Sequence, residues 1–219
     1  MMAQLKEARL MRGQNQQEAA DHFGVTQAYF SMLEKGLRKP SRKLAQRLMR
    51  FYNLPPTVLP TTPFDTTEGS PETLARELGR LGYPGFAHLA TGQKKMNPAD
   101  FLLTALSQNN LEARTAEGLP WLVAKYPDMN SEWLVQNARS KNLQNRLGFA
   151  VTLAHEVSNN ATLLNLENAL EDSKLAKEDS FCRQLSDGER RWLREHRSAE
   201  AEKWNLLSDL RPESVRYVR

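Results

Sequence analysis

Cysteine is all but missing from this sequence. Cys182 stands alone among 219 residues, which excludes an internal disulfide and any cysteine-rich zinc site and fits a reducing compartment. Long apolar runs are missing too. None approaches the roughly 18 residues a membrane span needs, and no apolar N-terminal stretch precedes a small-residue cleavage site. The expectation is a soluble, cytoplasmic chain with no membrane partner. Strand signals are equally scarce, since no segment shows β-branched richness with period-two alternation. The constellations of catalysis are absent as well. His22, His88, His155 and His196 are scattered, and His155-Glu156 lacks the second histidine of a zinc-protease helix. No glycine-rich loop ends in Lys-Ser/Thr, and Gly79, Gly82 and Gly85 are separated by bulky helix-forming residues where a phosphate loop would follow a strand. No metal, no cofactor and no enzymatic activity are expected.

What is present is charge, unevenly placed. Residues 1–60 carry ten basic side chains (Lys6, Arg9, Arg12, Lys35, Arg38, Lys39, Arg42, Lys43, Arg47, Arg50) against four acidic ones (Glu7, Glu18, Asp21, Glu34), a surplus of +6. With +4 for the whole chain, the remaining 159 residues sum to −2. A basic head on a mildly acidic body implies that the head meets a polyanion and the body something else.

Helical periodicity runs through the head. Leu5, Ala8 and Met11 recur at helical spacing up to Gly13. Asn15 precedes a second helix whose Ala19, Ala20 and Phe23 face inward and which Gly24 ends. Thr26 caps a third helix running to Gly36, and a fourth follows Lys39-Pro40-Ser41, burying Leu44, Leu48 and Phe51. From Pro55 to Ser70, five prolines or glycines and five threonines read as a linker. Beyond it the patterning is helical, with Ser70-Pro71 and Asn97-Pro98 as helix starts and further helices through Trp121–Lys125, Ser131–Ser158, Leu163–Ala176 and Asp187–His196. The expected fold is all-α, with a DNA-binding domain at 1–60, a linker and partner-binding arm at 61–95, and a helical partner-binding or dimerisation domain at 96–219.

On a helical wheel the third helix has two faces. Tyr29, Phe30 and Leu33 share one side; Gln27, Ala28, Ser31, Met32 and Lys35 share the other. The second face carries the side-chain types that reach base edges in a major groove: glutamine pairs with adenine and alanine touches a thymine methyl. Two helices of about eight residues joined through Gly24, with basic residues behind them, also match the spacing of a helix-turn-helix.

The stretch NQQEAADHFGVTQAYFSMLEKGLRKPS resembles the DNA-binding domain of the Cro and phage-repressor class, the Xre family, over roughly residues 3–60. The resemblance implies that Gln16 contacts phosphate from a helix N-terminus, that Gln27, Ala28 and Met32 face bases, and that Leu37–Lys39 lies along the backbone. Thr26, Ser31, Lys35, Arg38, Lys39 and Arg42 complete the expected DNA-binding set. The implied partner is double-stranded DNA carrying a palindromic operator, bound by a homodimer.

In the body, Pro84-Gly85 of LGYPGF reads as a turn that pushes Tyr83 and Phe86 outward, where aromatic anchors contribute most to partner binding. Trp121 and Trp133 are further partner-binding candidates, and the tail Arg211–Arg219 is expected to dock or fray. The segments LARELGRLGYPGFAHL and LPWLVAKYPD and the Asn97-Pro98 helix between them, more loosely, resemble antitoxins of toxin–antitoxin pairs. That resemblance implies a repressor whose body neutralises a cognate toxin; the alternative is a ligand- or stress-responsive regulator without a toxin.

Overall fold

The computed structural model describes residues 2–66, 68–92 and 96–218, with side chains from Gln4 onward. The chain divides into two compact units, one comprising Met1–Thr62 with Lys95–Asn97 and the other Pro63–Lys94 with Pro98–Arg219.

Four helices build the first unit: α1 (Met2–Met11), α2 (Gln16–Phe23), α3 (Gln27–Glu34) and α4 (Arg42–Tyr52). Their starts are written in side chains. Asn15 Oδ1 accepts from the Glu18 backbone N–H while the Glu18 carboxylate accepts from the Asn15 N–H, so two otherwise orphaned donors are satisfied. Thr26 caps α3 through Tyr29 N–H and Ser41 caps α4 through Leu44 N–H. Gly24, at φ 68°, makes the left-handed turn between α2 and α3 that a β-carbon would strain.

Phe23, Phe30, Leu33 and Leu48 meet in one core with Leu5 and Tyr52. Leu54, Val58 and Leu59 extend that core through the short 3-10 turn Pro56–Val58. The proline-rich start of the expected linker therefore belongs to the head, because Val58 and Leu59 are apolar enough to be drawn inside. Phe51, expected inside, is only half-buried, and Met49 and Tyr52 take the inner positions of α4.

The second unit is helical as well: α5 (Pro71–Arg80), α6 (Pro98–Leu106), α7 (Ala113–Lys125), α8 (Ser131–Lys141), α9 (Gln144–Ser158), α10 (Ala161–Glu171), α11 (Asp187–His196) and α12 (Ala199–Lys203). At its centre lies α9, buried continuously from Gln144 to Ala154. Such a helix has no wet face, so it shows little amphipathic pattern. Gly148 lets the Trp204 ring lie directly on its backbone; a β-carbon there would overlap the ring. The Trp204 indole N–H donates to Thr152 Oγ1 at 2.8 Å. Arg146, also on α9, is 2% exposed and donates to the carbonyls of Leu106 and Gln108 and, through two nitrogens, to Asp179. A charge so buried persists because a carboxylate faces it and each of its three nitrogens has an acceptor.

Three expectations are corrected. The helix drawn over Ser131–Ser158 is two helices, broken where Asn142 adopts φ 57° and its N–H bonds back to Ala138 and Arg139. The helix drawn from Trp121 begins at Ala113 and runs through Pro120, whose missing N–H is tolerated. Finally, β1 (Asp179–Ser180) and β2 (Leu206–Leu207) pair in parallel over two residues each, a minor addition to an all-α chain.

The arm expected at 61–95 is also corrected. α5 and the 3-10 segment Pro84–Leu89 belong to the second unit, and Tyr83, Phe86 and Trp121 are each about nineteen-twentieths buried. The Pro84-Gly85 turn tucks the aromatics in. Gly85 and Gly118 leave room that the Tyr83 ring fills, and Tyr83 sits 5.6 Å from Phe86 and 5.3 Å from Trp121, ring centre to ring centre. The tail is docked over this cluster: Tyr217 O accepts from the Trp121 indole at 3.2 Å, and its ring lies 5.7 Å from Tyr83. Arg219 lies outside the described residues. Trp133 is half-buried, edge-on to Phe64.

Candidate nucleic-acid interface

Two successive helix starts, those of α2 and α3, supply the polar side chains of the interface. Gln27 opens α3 and Gln16 opens α2. The Gln27 Nε2 donates to Gln16 Oε1 at 2.7 Å, and Gln16 Nε2 donates to Glu34 Oε2 at 2.7 Å. Glu34 in turn accepts from Arg9, with Nε to Oε1 at 2.6 Å and Nη2 to Oε2 at 3.3 Å. Arg9 also donates to the Gln14 carbonyl at 2.6 Å. The result is a relay running from the buried end of α3 to its exposed tip, and it fixes the rotamers of both glutamines. The hydrogen bond to Glu34 outweighs the opposing effect of burial and holds the Arg9 pKa above its ordinary value, so the inner anchor of the relay stays charged.

Around that relay the predicted site residues sort by exposure. Thr26, Gln27 and Ala28 are exposed, as are Lys35, Arg38, Lys39 and Arg42 in the loop and at the start of α4. Gln16, Ser31 and Met32 are half-buried, so the tip of α3 projects further than its middle. Thr26 holds its hydroxyl as the α3 cap. The Leu37 N–H bonds to Met32 O at 2.9 Å and Lys39 O accepts from the Tyr29 hydroxyl at 3.4 Å, which ties the basic loop to α3. All ten expected DNA-contacting positions thus lie on the starts of α2 and α3, on α3, in the loop that follows it, or, for Arg42, at the start of α4.

Not every cation of the head serves this surface. Arg47 donates to the carbonyls of Phe23 and His22, answering the C-terminal end of α2. Arg12 donates to Phe51 O and lies over the Phe51 ring at 4.2 Å. With Arg9, three of the ten cations hold the fold. The structural part of the site that residue types did not reveal is the Arg9–Glu34 pair. Its only sequence trace is an acidic residue at the end of a helix, where the backbone dipole disfavours it.

Residues 5–59 match the family model for helix-turn-helix domains. No significant match to a curated protein or to a solved structure was found. Among the described residues no helix is long and apolar enough to cross a membrane. The matched span coincides with α1 to α4 and their closing turn, and residues 5–59 are therefore an Xre/Cro-type helix-turn-helix domain, which makes the chain a DNA-binding transcriptional regulator.

Proposed function

We propose that the protein is a sequence-specific repressor that binds a palindromic operator as a homodimer, and that its second unit neutralises a cognate toxin. The observation that carries the operator reading is the held Gln27. Its Nε2 spends one hydrogen on Gln16, leaving the other hydrogen and Oε1 for the paired donor and acceptor of an adenine edge. Ala28 beside it suits a thymine methyl. Gln16 and the Lys35–Arg42 segment contact phosphates, and two copies with recognition helices about 34 Å apart read the two half-sites.

Support for the toxin-neutralising role is the resemblance carried by LARELGRLGYPGFAHL and LPWLVAKYPD, together with a second unit that has a core of its own. Because Tyr83, Phe86 and Trp121 are buried, the toxin-contacting surface on this reading lies elsewhere on that unit, with Trp133 the one expected anchor that reaches solvent. Toxin binding would occlude or align the heads.

The test expresses the full chain and the product of the adjacent open reading frame, together and separately, in a bacterial host with a reporter behind the chain's own promoter. The neighbour alone arrests growth, the chain restores it, and the chain silences the reporter; Gln27→Ala loses silencing and keeps the rescue. A harmless neighbour removes the antitoxin role, and a reporter indifferent to the chain contradicts repression. A second reading, a regulator responsive to a small ligand, is favoured by a basic cleft in the second unit.

A further inference from the structure

The second unit contains a cleft of about 1010 Å3, at the upper end of the roughly 300–1,000 Å3 of small-molecule sites. Its walls come from five stretches: Thr66 and Glu68, the residues after α6, the break between α8 and α9 with Arg146, the segment 175–183, and Arg190 on α11. Five cations and three carboxylates line it. The carboxylates are already answered. Asp179 is held by Arg146 through two hydrogen bonds, Glu178 by two 2.8 Å bonds from Arg194, and Glu68 accepts from Asn109 at 3.2 Å.

The cations are not matched in the same way. Arg146 is consumed by the fold, and Lys141 has only a 3.8 Å contact with the exposed Asp65. Lys177 and Arg183 are exposed and have no ion-pair or hydrogen-bond partner for their charged ends among the described residues. Arg190 gives one nitrogen to the Arg183 carbonyl at 3.1 Å, which ties these two cations of the lining to each other. Leu143 and Leu175 add apolar surface to the same lining.

We propose that this cleft binds a phosphorylated small molecule of nucleoside polyphosphate size, with Lys141, Lys177, Arg183 and Arg190 on its phosphates and Leu143 and Leu175 against its ring. Guanidinium groups suit phosphate because they present forked donors to paired oxygens. Four cations set around one concave site with no aromatic among its described lining residues favour a compact ligand over a strand, which needs a track of charge and stacking aromatics. The inference is independent of operator recognition by the first unit.

Isothermal titration of the full chain with ATP, pyrophosphate and a single-stranded oligonucleotide tests it. Lys177→Ala/Arg183→Ala removes two exposed cations of the cleft; Lys125→Ala/Arg191→Ala removes two exposed cations elsewhere on the same unit. ATP is expected to saturate one site per chain, more tightly than pyrophosphate, with a Kd raised at least about tenfold by the cleft variant and unchanged by the control. Absence of saturable binding overturns the proposal, as does equal weakening by both variants. Tighter binding of the oligonucleotide through the same two residues replaces the small molecule with a strand, and pyrophosphate matching ATP removes the nucleoside.

Discussion

The Gln27 side chain is tethered to Gln16 by a 2.7 Å amide–amide hydrogen bond, so the first residue of α3 and the first residue of α2 act as one rigid element. Gln27 would otherwise lose about 1–2 kcal/mol of rotamer freedom on docking to a base. The tether places that loss in the folding of the domain and leaves the binding step with less to order. Behind it, Glu34 and Arg9 connect the tip of α3 to the interior.

The Arg9–Glu34 pair makes a stability prediction. Glu34 has only 2% of its side chain exposed and Arg9 has 6%. Glu34→Ala strands a buried guanidinium, at a cost of about 3–5 kcal/mol. Hydrogen-exchange protection of α2 and α3 in the full chain is expected to fall by roughly two to four orders of magnitude, whereas Arg9→Met/Glu34→Leu recovers most of it. Equal losses in the two variants would show that the pair does not carry this stability.

Lys39 separates positioning from reading. It is exposed on a loop tied to α3 by Tyr29. Lys39→Ala is predicted to weaken all duplexes to a similar degree and to reduce the slope of log K against log salt by about one. Binding measured at four salt concentrations on operator and scrambled duplexes checks this, and a loss confined to one sequence would contradict it.

Gly148 has a different role. Its missing β-carbon is the space the Trp204 ring occupies, and Trp204 is fully buried. Gly148→Ala is predicted to destabilise the second unit by about 1–3 kcal/mol through forced repacking. All four tryptophans lie in that unit, so the urea midpoint of tryptophan fluorescence reports it. An unchanged midpoint would mean that Trp204 moves aside at little cost.

Alkaline pH probes Tyr126. Its hydroxyl donates to Leu81 O at 2.6 Å, and burial, aided by Asp128, pushes its pKa from 10.0 up to about 12. The folded-state value is the higher one, so its contribution is fully present below pH 10 and is lost as pH rises toward 12. The urea midpoint of the wild type is expected to fall more steeply across that window than that of Tyr126→Phe. Parallel curves would remove Tyr126 as the cause.

The head was legible because its signals are local. Asn15, Thr26 and Ser41 sit where caps belong, Gly24 where a left-handed turn is needed, and the α3 wheel separates Phe30 and Leu33 from Gln27 and Ala28. The Arg9–Glu34 anchor was not legible, since 25 residues separate the partners and each alone resembles a surface charge. In the second unit the misreading of Tyr83 and Phe86 has a clear cause. A Pro-Gly turn fixes the backbone, but whether its aromatics face outward depends on Gly118 and the Tyr217 tail, both distant in sequence. α9 was drawn as part of a longer helix over Ser131–Ser158, but its burial on all sides was not legible, because a helix surrounded on all sides carries no stripe to detect. The basic cleft is assembled from stretches between Thr66 and Arg190 and had no local signature at all.

On the proposed function, α3 reads sequence through Gln27 held by Gln16. Selection from a randomised duplex pool, with the full chain and with Gln27→Ala, tests it most directly. The wild type is expected to enrich a palindrome with half-sites about one helical turn apart, and Gln27→Ala to keep the spacing while losing the preference at one symmetric pair of adenine positions. An identical motif for both proteins, or no enrichment by the wild type, would contradict it.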